Sequence, residues 1–254
     1  MRTRFLTLIT CLFVLPAHAK YAGGTGEPND PYQIATAADL IALGETPEDY
    51  DKHFILTADI DLDPNLPGRK VFDKAVIAPA SSIIERPYVE GTPFTGVLDG
   101  KGHKVSHMTI QGKDYLGLFG LIEEGAEIRN LGVMDVNVTG SGKIVGGLVG
   151  RNGYGAVTRC YSTGSVTGID SVGGLVGYSE GRRAVTHCSW DTQTSGQTWS
   201  HGGTGKTTAE MQMAGTFSEA GWDFVGETAN GIDDIWWIDE GKDYPRLSWE
   251  AHSN

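Results

Sequence analysis

The chain has 254 residues and a formal net charge of −12, an acidity that argues against a nucleic-acid partner because phosphates would be repelled. Only 3 cysteines are present, too few for a disulfide scaffold, and no segment reaches the roughly 20 apolar residues of a membrane-spanning helix. Glycine stands out at 36 residues without a period of three, which indicates many tight turns between short strands rather than a collagen-like chain.

Residues 1–19 have the pattern of a secretory signal: Arg2 and Arg4, an apolar run from Phe5 to Leu15, then Ala17-His18-Ala19 as a small-x-small cleavage site. Export to the cell surface, the medium or the periplasm is expected. Removal of the two arginines takes the formal charge to −14. Residues 20–254 are then expected to form one domain.

Helical periodicity is scarce. "TAADLIALG" is the main early exception, with Thr36 as N-cap, Asp39 in the first turn and Gly44 as the stop. "FILTADIDLD", Phe54 to Asp63, alternates as a strand and places Asp59, Asp61 and Asp63 on the face opposite Ile60 and Leu62. Such a row is either a solvated acidic face or a calcium site; an EF-hand loop is excluded, because Pro64 takes the glycine position and Lys70 the position of the closing Glu. Pro64 to Pro93 holds five prolines and reads as a long surface excursion. In "FTGVLDGKGHKVSHMTI", strand alternation resumes and Asp99 shapes a turn.

Three stretches then align: "GLFGLIEEGAEIRNLGVMDVNVTG" from Gly117, "GLVGRNGYGAVTRCYSTGSVTG" from Gly147 and "GLVGYSEGRRAVTHCSWDTQTSG" from Gly174. Their leading leucines, Leu118, Leu148 and Leu175, stand 30 and 27 residues apart. Ile128, Val157 and Val185 fall in one column, and Leu131, Cys160 and Cys188 in another. A unit of this length cannot bury its own apolar face and must stack on its neighbours. Short strands with glycine turns make that stack an all-β parallel solenoid, with clear coils over residues 117–196.

Cys160 and Cys188, one coil apart, stand at a strand spacing that a disulfide tolerates, but parallel stacked side chains do not readily take the roughly 90° disulfide torsion; the readings are a disulfide or, in preference, a buried thiol stack. All six tryptophans follow residue 189. Trp222, Trp236, Trp237 and Trp249 suit a cap over the core at residues 204–250, whereas Trp190 and Trp199 lie on or beside a coil and are the candidates for stacking on sugar faces. "HGGTGKTTAEMQ" resembles a phosphate-binding loop, but Ser200 occupies the first glycine position and no apolar strand precedes it. Thr207 and Glu210 instead form the capping box of a short helix.

The "GLFG" and "GGLVG" units with their following "TG-x-V-x-G" elements resemble the GLUG repeat family of exported bacterial surface proteins, as do "GGTGEPNDPYQIATAADL", "LDGKGHKVSHMTI" and "IWWIDEGKDYPRLSWE". The resemblance implies a right-handed parallel β-helix similar to the pectin-lyase-like fold, to which the residues themselves add a short N-terminal helix and an aromatic-rich C-terminal cap. It also implies adhesion, glycan or surface binding, or a spacer role, with an extracellular polysaccharide or surface protein as partner. No catalytic residue or cofactor is expected beyond calcium at Asp59, Asp61 and Asp63. The alternative is a polysaccharide lyase or glycoside hydrolase on the same fold: Arg159, Arg182 and Arg183 are present, but no carboxylate group is expected beside them, and Glu123 and Glu124 read as solvated.

Overall fold

The computed structural model describes residues 20–82, 89–181 and 185–249, and the expected leader, Arg182, Arg183 and the last five residues lie outside them. The chain forms a parallel β-solenoid. Its long sheet collects β1 (Tyr32–Ile34), β2 (His53–Leu56), β3 (Ile60–Asp61), β6 (Val97–Asp99), β7 (Lys104–Ser106), β8 (Thr109–Gly112), β10 (Glu127–Gly140), β13 (Ala156–Thr167), β16 (Val185–Thr186), β17 (Ser189–Asp191) and β18 (Thr204–Lys206). A second sheet stacks β9 (Phe119–Ile122), β12 (Val149–Asn152) and β15 (Val176–Ser179), and a third pairs β11 (Lys143–Gly146) with β14 (Asp170–Gly173). Ser81–Ser82 (β4) and Val89–Glu90 (β5) make a small antiparallel ladder outside the stack.

The repeat columns are the core. Tyr32, Phe54, Leu98, Ile128, Val157 and Val185 stand in one register line, and all but Tyr32 are buried. Ile60, Val105, Val133, Ser162 and Trp190 form another inward line. Apolar residues recurring once per coil thus find one another only across coils, which is why no coil folds alone.

Bends recur in columns too. Asn130, Arg159 and His187 share positive φ, as do His107, Asp135 and Gly164, and Tyr115, Ile144 and Ser171. A left-handed residue turns the chain between strands, and Asn, Asp and His tolerate it better than most side chains. The Asn130 corner is tied down: Asn130 Nδ2 donates to Asp99 Oδ1 at 3.0 Å, and Arg159 Nε donates to Asn130 Oδ1 at 3.0 Å.

α1 (Ala37–Gly44) covers the first coils, burying Leu40 and Leu43, and its capping box joins Thr36 and Asp39. Gly44 is its last residue rather than the residue after it. A side chain there would strike the Val76 carbonyl, so close packing accounts for this glycine. The proline-rich stretch is also less of an excursion than its sequence implies: Phe72 and Ile77 bridge Ile110 and Phe119 in parallel and are buried.

The aromatic C-terminal segment is present and lies along the flank of the solenoid. It comprises α3 (Thr208–Met211), α4 (Ala214–Ser218), β19 (Trp236–Trp237) and β20 (Arg246–Leu247), and it follows α2 (Thr192–Ser195). Trp222 and Trp236 are fully buried with Phe217 and Met211 against Tyr161. Tyr244 Oη donates to Asp191, Tyr161 Oη donates to the Pro245 carbonyl, and Leu247 packs over Gly102. These contacts run across successive coils, so the segment braces the stack lengthwise. Trp237 is half-buried under Arg246. Trp249 departs from the expected cap: it is 62% exposed and meets only the edge of His103 among the described rings.

Candidate functional site

The second sheet carries a candidate row in which Arg151 and Tyr178 are partly exposed and Leu121 is buried. Register places Leu121, Arg151 and Tyr178 in one line across β9, β12 and β15. Residues 199–203 continue it as the start of an incomplete coil, held by His201 N–H donating to the Val176 carbonyl at 3.0 Å and by Val176 N–H donating to Ser200 Oγ at 2.9 Å. Because Ser200 is turned to the strand, its neighbours Trp199 and His201 face together. Their rings meet at 4.3 Å edge to face, and His201 lies 4.9 Å from Tyr178. Trp199 is 45% exposed, and a depression of about 300 Å³ lies beside it between Val185, His201 and Gly203.

The polar half of the row centres on Arg151. Its guanidinium donates to Glu123 at 2.9 Å and to Glu180 on the other side. Burial works against the Arg151 charge, but the bond to Glu180 and the charges of Glu180 and Glu123 outweigh it and hold the cation. Glu180 also pushes the Tyr154 phenol up, and the Tyr154 ring is exposed. One stripe therefore carries exposed ring faces beside a fixed set of donors and acceptors, the composition that suits sugar rings with apolar faces and hydroxyl edges.

Trp190 does not join it. Its ring is 5% exposed, fills the space left by Gly174 and donates to the Gln197 carbonyl at 3.2 Å, so it offers no face to a sugar. Asp59, Asp61 and Asp63 do share a face, but each is engaged by the protein. Asp59 meets His103 at 3.0 Å and Lys104 at 2.6 Å; Asp61 meets His107 at 3.0 Å; Asp63 accepts from Asn65 N–H at 2.9 Å. Burial pushes the Asp59 carboxyl up, yet the bonds from His103 and Lys104 prevail and hold its pKa below the usual carboxylate range. Among the described residues, no group of three or more His, Cys, Asp or Glu is placed to hold a metal ion.

Cys160 and Cys188 are free, buried and stacked, with the Cys160 N–H directed at the Cys188 sulfur at 3.3 Å. Thr207 and Glu210 form the capping box of α3, and no phosphate loop is made there. A cleft of about 510 Å³ lies between α1 and the Phe72 segment, lined by Tyr50, Lys70 and Lys74.

Sequence reasoning named Trp199 but missed Arg151, Tyr178, His201, Glu180 and Tyr154. The alignment of "GLFGLI", "GLVGRN" and "GLVGYS" carries the line from Leu121 to Tyr178; nothing in the repeats extends it to His201, which lies beyond the last glycine motif.

Residues 141–167 match the family described as the GLUG motif. The chain is similar to Halomucin of Haloquadratum walsbyi, at 33% identity over 174 residues, covering 68% of this chain and 2% of that protein. It is also similar to a protein of Evansella cellulosilytica described as a Gly-rich membrane protein, at 36% identity over 126 residues, covering 47% of this chain and 14% of that protein. The chain thus spans a small fraction of both relatives. No solved structure matches it.

Proposed function

We propose that this GLUG-motif β-solenoid is a non-enzymatic, surface-type module that binds extracellular polysaccharide along the row Arg151, Tyr178, His201 and Trp199. The observation that carries this reading is the outward pairing of Trp199 and His201 at 4.3 Å beside Tyr178, on a rigid parallel sheet. Stacked strands stand about 4.8 Å apart, so side chains from successive rungs meet successive parts of an extended chain without ordering a loop. Arg151, Glu123, Glu180 and Tyr154 supply the hydrogen bonds that orient hydroxyls. The names of the relatives, a mucin and a membrane protein, agree with a surface setting for this chain.

Cleavage is the second reading, favoured by the two carboxylates beside the row. Both are paired with Arg151, so each carboxylate is already engaged by the protein. Retention of the purified protein on a panel of acidic and neutral polysaccharides, with and without calcium, separates the readings when each supernatant is assayed for new sugar ends. Retention without new ends supports the binding module. New ends would establish cleavage, and no retention on any polysaccharide would remove the glycan reading.

A further inference from the structure

The long sheet also turns outward a group of side chains that the glycan-binding row does not use. Beyond its corner, β10 runs as Asp135-Val136-Asn137-Val138-Thr139. Val136 and Val138 are buried in the core, and Asp135, Asn137 and Thr139 are exposed. Period-two alternation fixes this assignment for Asn137 and Thr139, and the corner at Asp135, with φ 50°, brings the third polar residue outward. Asn137 is the one asparagine of the sequence with Ser or Thr two positions later.

Asn-x-Thr, with x other than proline, is the acceptor pattern for N-linked oligosaccharide in exported chains. Its chemistry needs the Asn amide and the Thr hydroxyl presented together. Here an acidic residue also stands two positions before the asparagine, which gives a transferase a charged handle on the N-terminal side. The neighbours that share register with Asn137 are Thr109 and Ser165, both small, so a sugar attached at Nδ2 leaves the sheet unobstructed. The Asn137 backbone N–H donates to the Met108 carbonyl at 2.8 Å, which keeps its side chain outward, and the side-chain amide has no hydrogen-bond partner among the described residues.

We infer that Asn137 is an N-glycosylation site. Its amide nitrogen attacks the anomeric carbon of a lipid-pyrophosphate-linked oligosaccharide. The new N–C bond forms as the C–O bond to pyrophosphate breaks; the lipid pyrophosphate leaves, and the amide proton passes to a base of the transferase. In the folded protein β8 and β13 pair with both edges of this segment, so modification precedes closure of the coils, while the exported chain is extended. The inference is independent of the polysaccharide row.

Tryptic cleavage after Arg129 and Lys143 releases residues 130–143 as one peptide containing the whole pattern. In protein exported by its native host, mass spectrometry is expected to find this peptide heavier by hexose or N-acetylhexosamine residues, with fragmentation placing them on Asn137. Asn137→Gln exported by the same host is expected to return it wholly to the unmodified mass. A wild-type peptide found only at the unmodified mass overturns the inference. So does a sugar that persists in Asn137→Gln, which would place it on Thr139 or Ser141.

Discussion

The ring of Tyr161 lies across Gly132 of the preceding coil, so closely that a Cβ at residue 132 would come 2.6 Å from ring carbons. The same ring stacks on Tyr244 at 6.3 Å, and its hydroxyl donates to the Pro245 carbonyl at 2.8 Å. The glycine on one coil is therefore what lets the next coil hold the C-terminal brace. Gly132→Ala is expected to displace the ring and destabilise the fold by about 1–3 kcal/mol, as overpacking does. A denaturant midpoint equal to wild type would show that the ring shifts freely and does not anchor the brace.

Trp190 and Trp199 are predicted to behave oppositely on truncation. Trp190→Ala empties a buried site and should cost about 3–5 kcal/mol of stability. Trp199→Ala removes a half-exposed ring and should leave the thermal midpoint within a few degrees of wild type. Calorimetry of the two variants reads this directly.

Asp99 provides an acid dependence. Burial pushes its carboxyl up, but bonds from Asn130, the Lys101 N–H and Arg129 outweigh burial and depress its pKa. A depressed folded pKa contributes stability that is present above the unfolded value of about 3.9 and is lost as pH falls through the folded value. Against the same opposing effect of burial, Asp59 is shifted in the same direction by His103 with Lys104, and Asp61 by the Asp63 N–H with His107. The melting temperature should therefore fall steeply below about pH 4. Asp99→Asn should cost about 1–3 kcal/mol at neutral pH and flatten that fall. An unchanged acid profile in the variant would assign the loss to other groups.

The stacked thiols should resist reagents. Burial is the first cause that pushes the Cys160 thiol far up, which suppresses its reactive thiolate. Chain 20–254 is expected to show almost no reaction with a thiol-specific disulfide reagent when native and two reactive thiols in guanidinium. No thiol titre after unfolding without reductant would mean that the pair is bonded.

The solenoid was legible because a repeat shows its inside three times: Ile128, Val157 and Val185 are aligned in the sequence and in register in the fold. Turn and cap chemistry at Asp99, Thr36 and Thr207 was legible because those hydrogen bonds reach only two or three residues. The direction of large rings was not. Tyr161 faces outward and Trp190, one coil later and one position on, faces inward; what decides each is a distant glycine, Gly132 or Gly174. The proposed binding row was half legible for a similar reason, since Trp199 and His201 join Tyr178 through an incomplete coil that carries no motif.

The most direct test compares two exposed tryptophans, Trp199 and Trp249, against whichever polysaccharide retains the wild-type protein. Titration should show Trp199→Ala binding about fivefold more weakly, in keeping with roughly 1 kcal/mol for a lost ring contact, and Trp249→Ala binding like wild type. Equal affinity for Trp199→Ala and wild type, or a loss confined to Trp249→Ala, would contradict the assignment of the row.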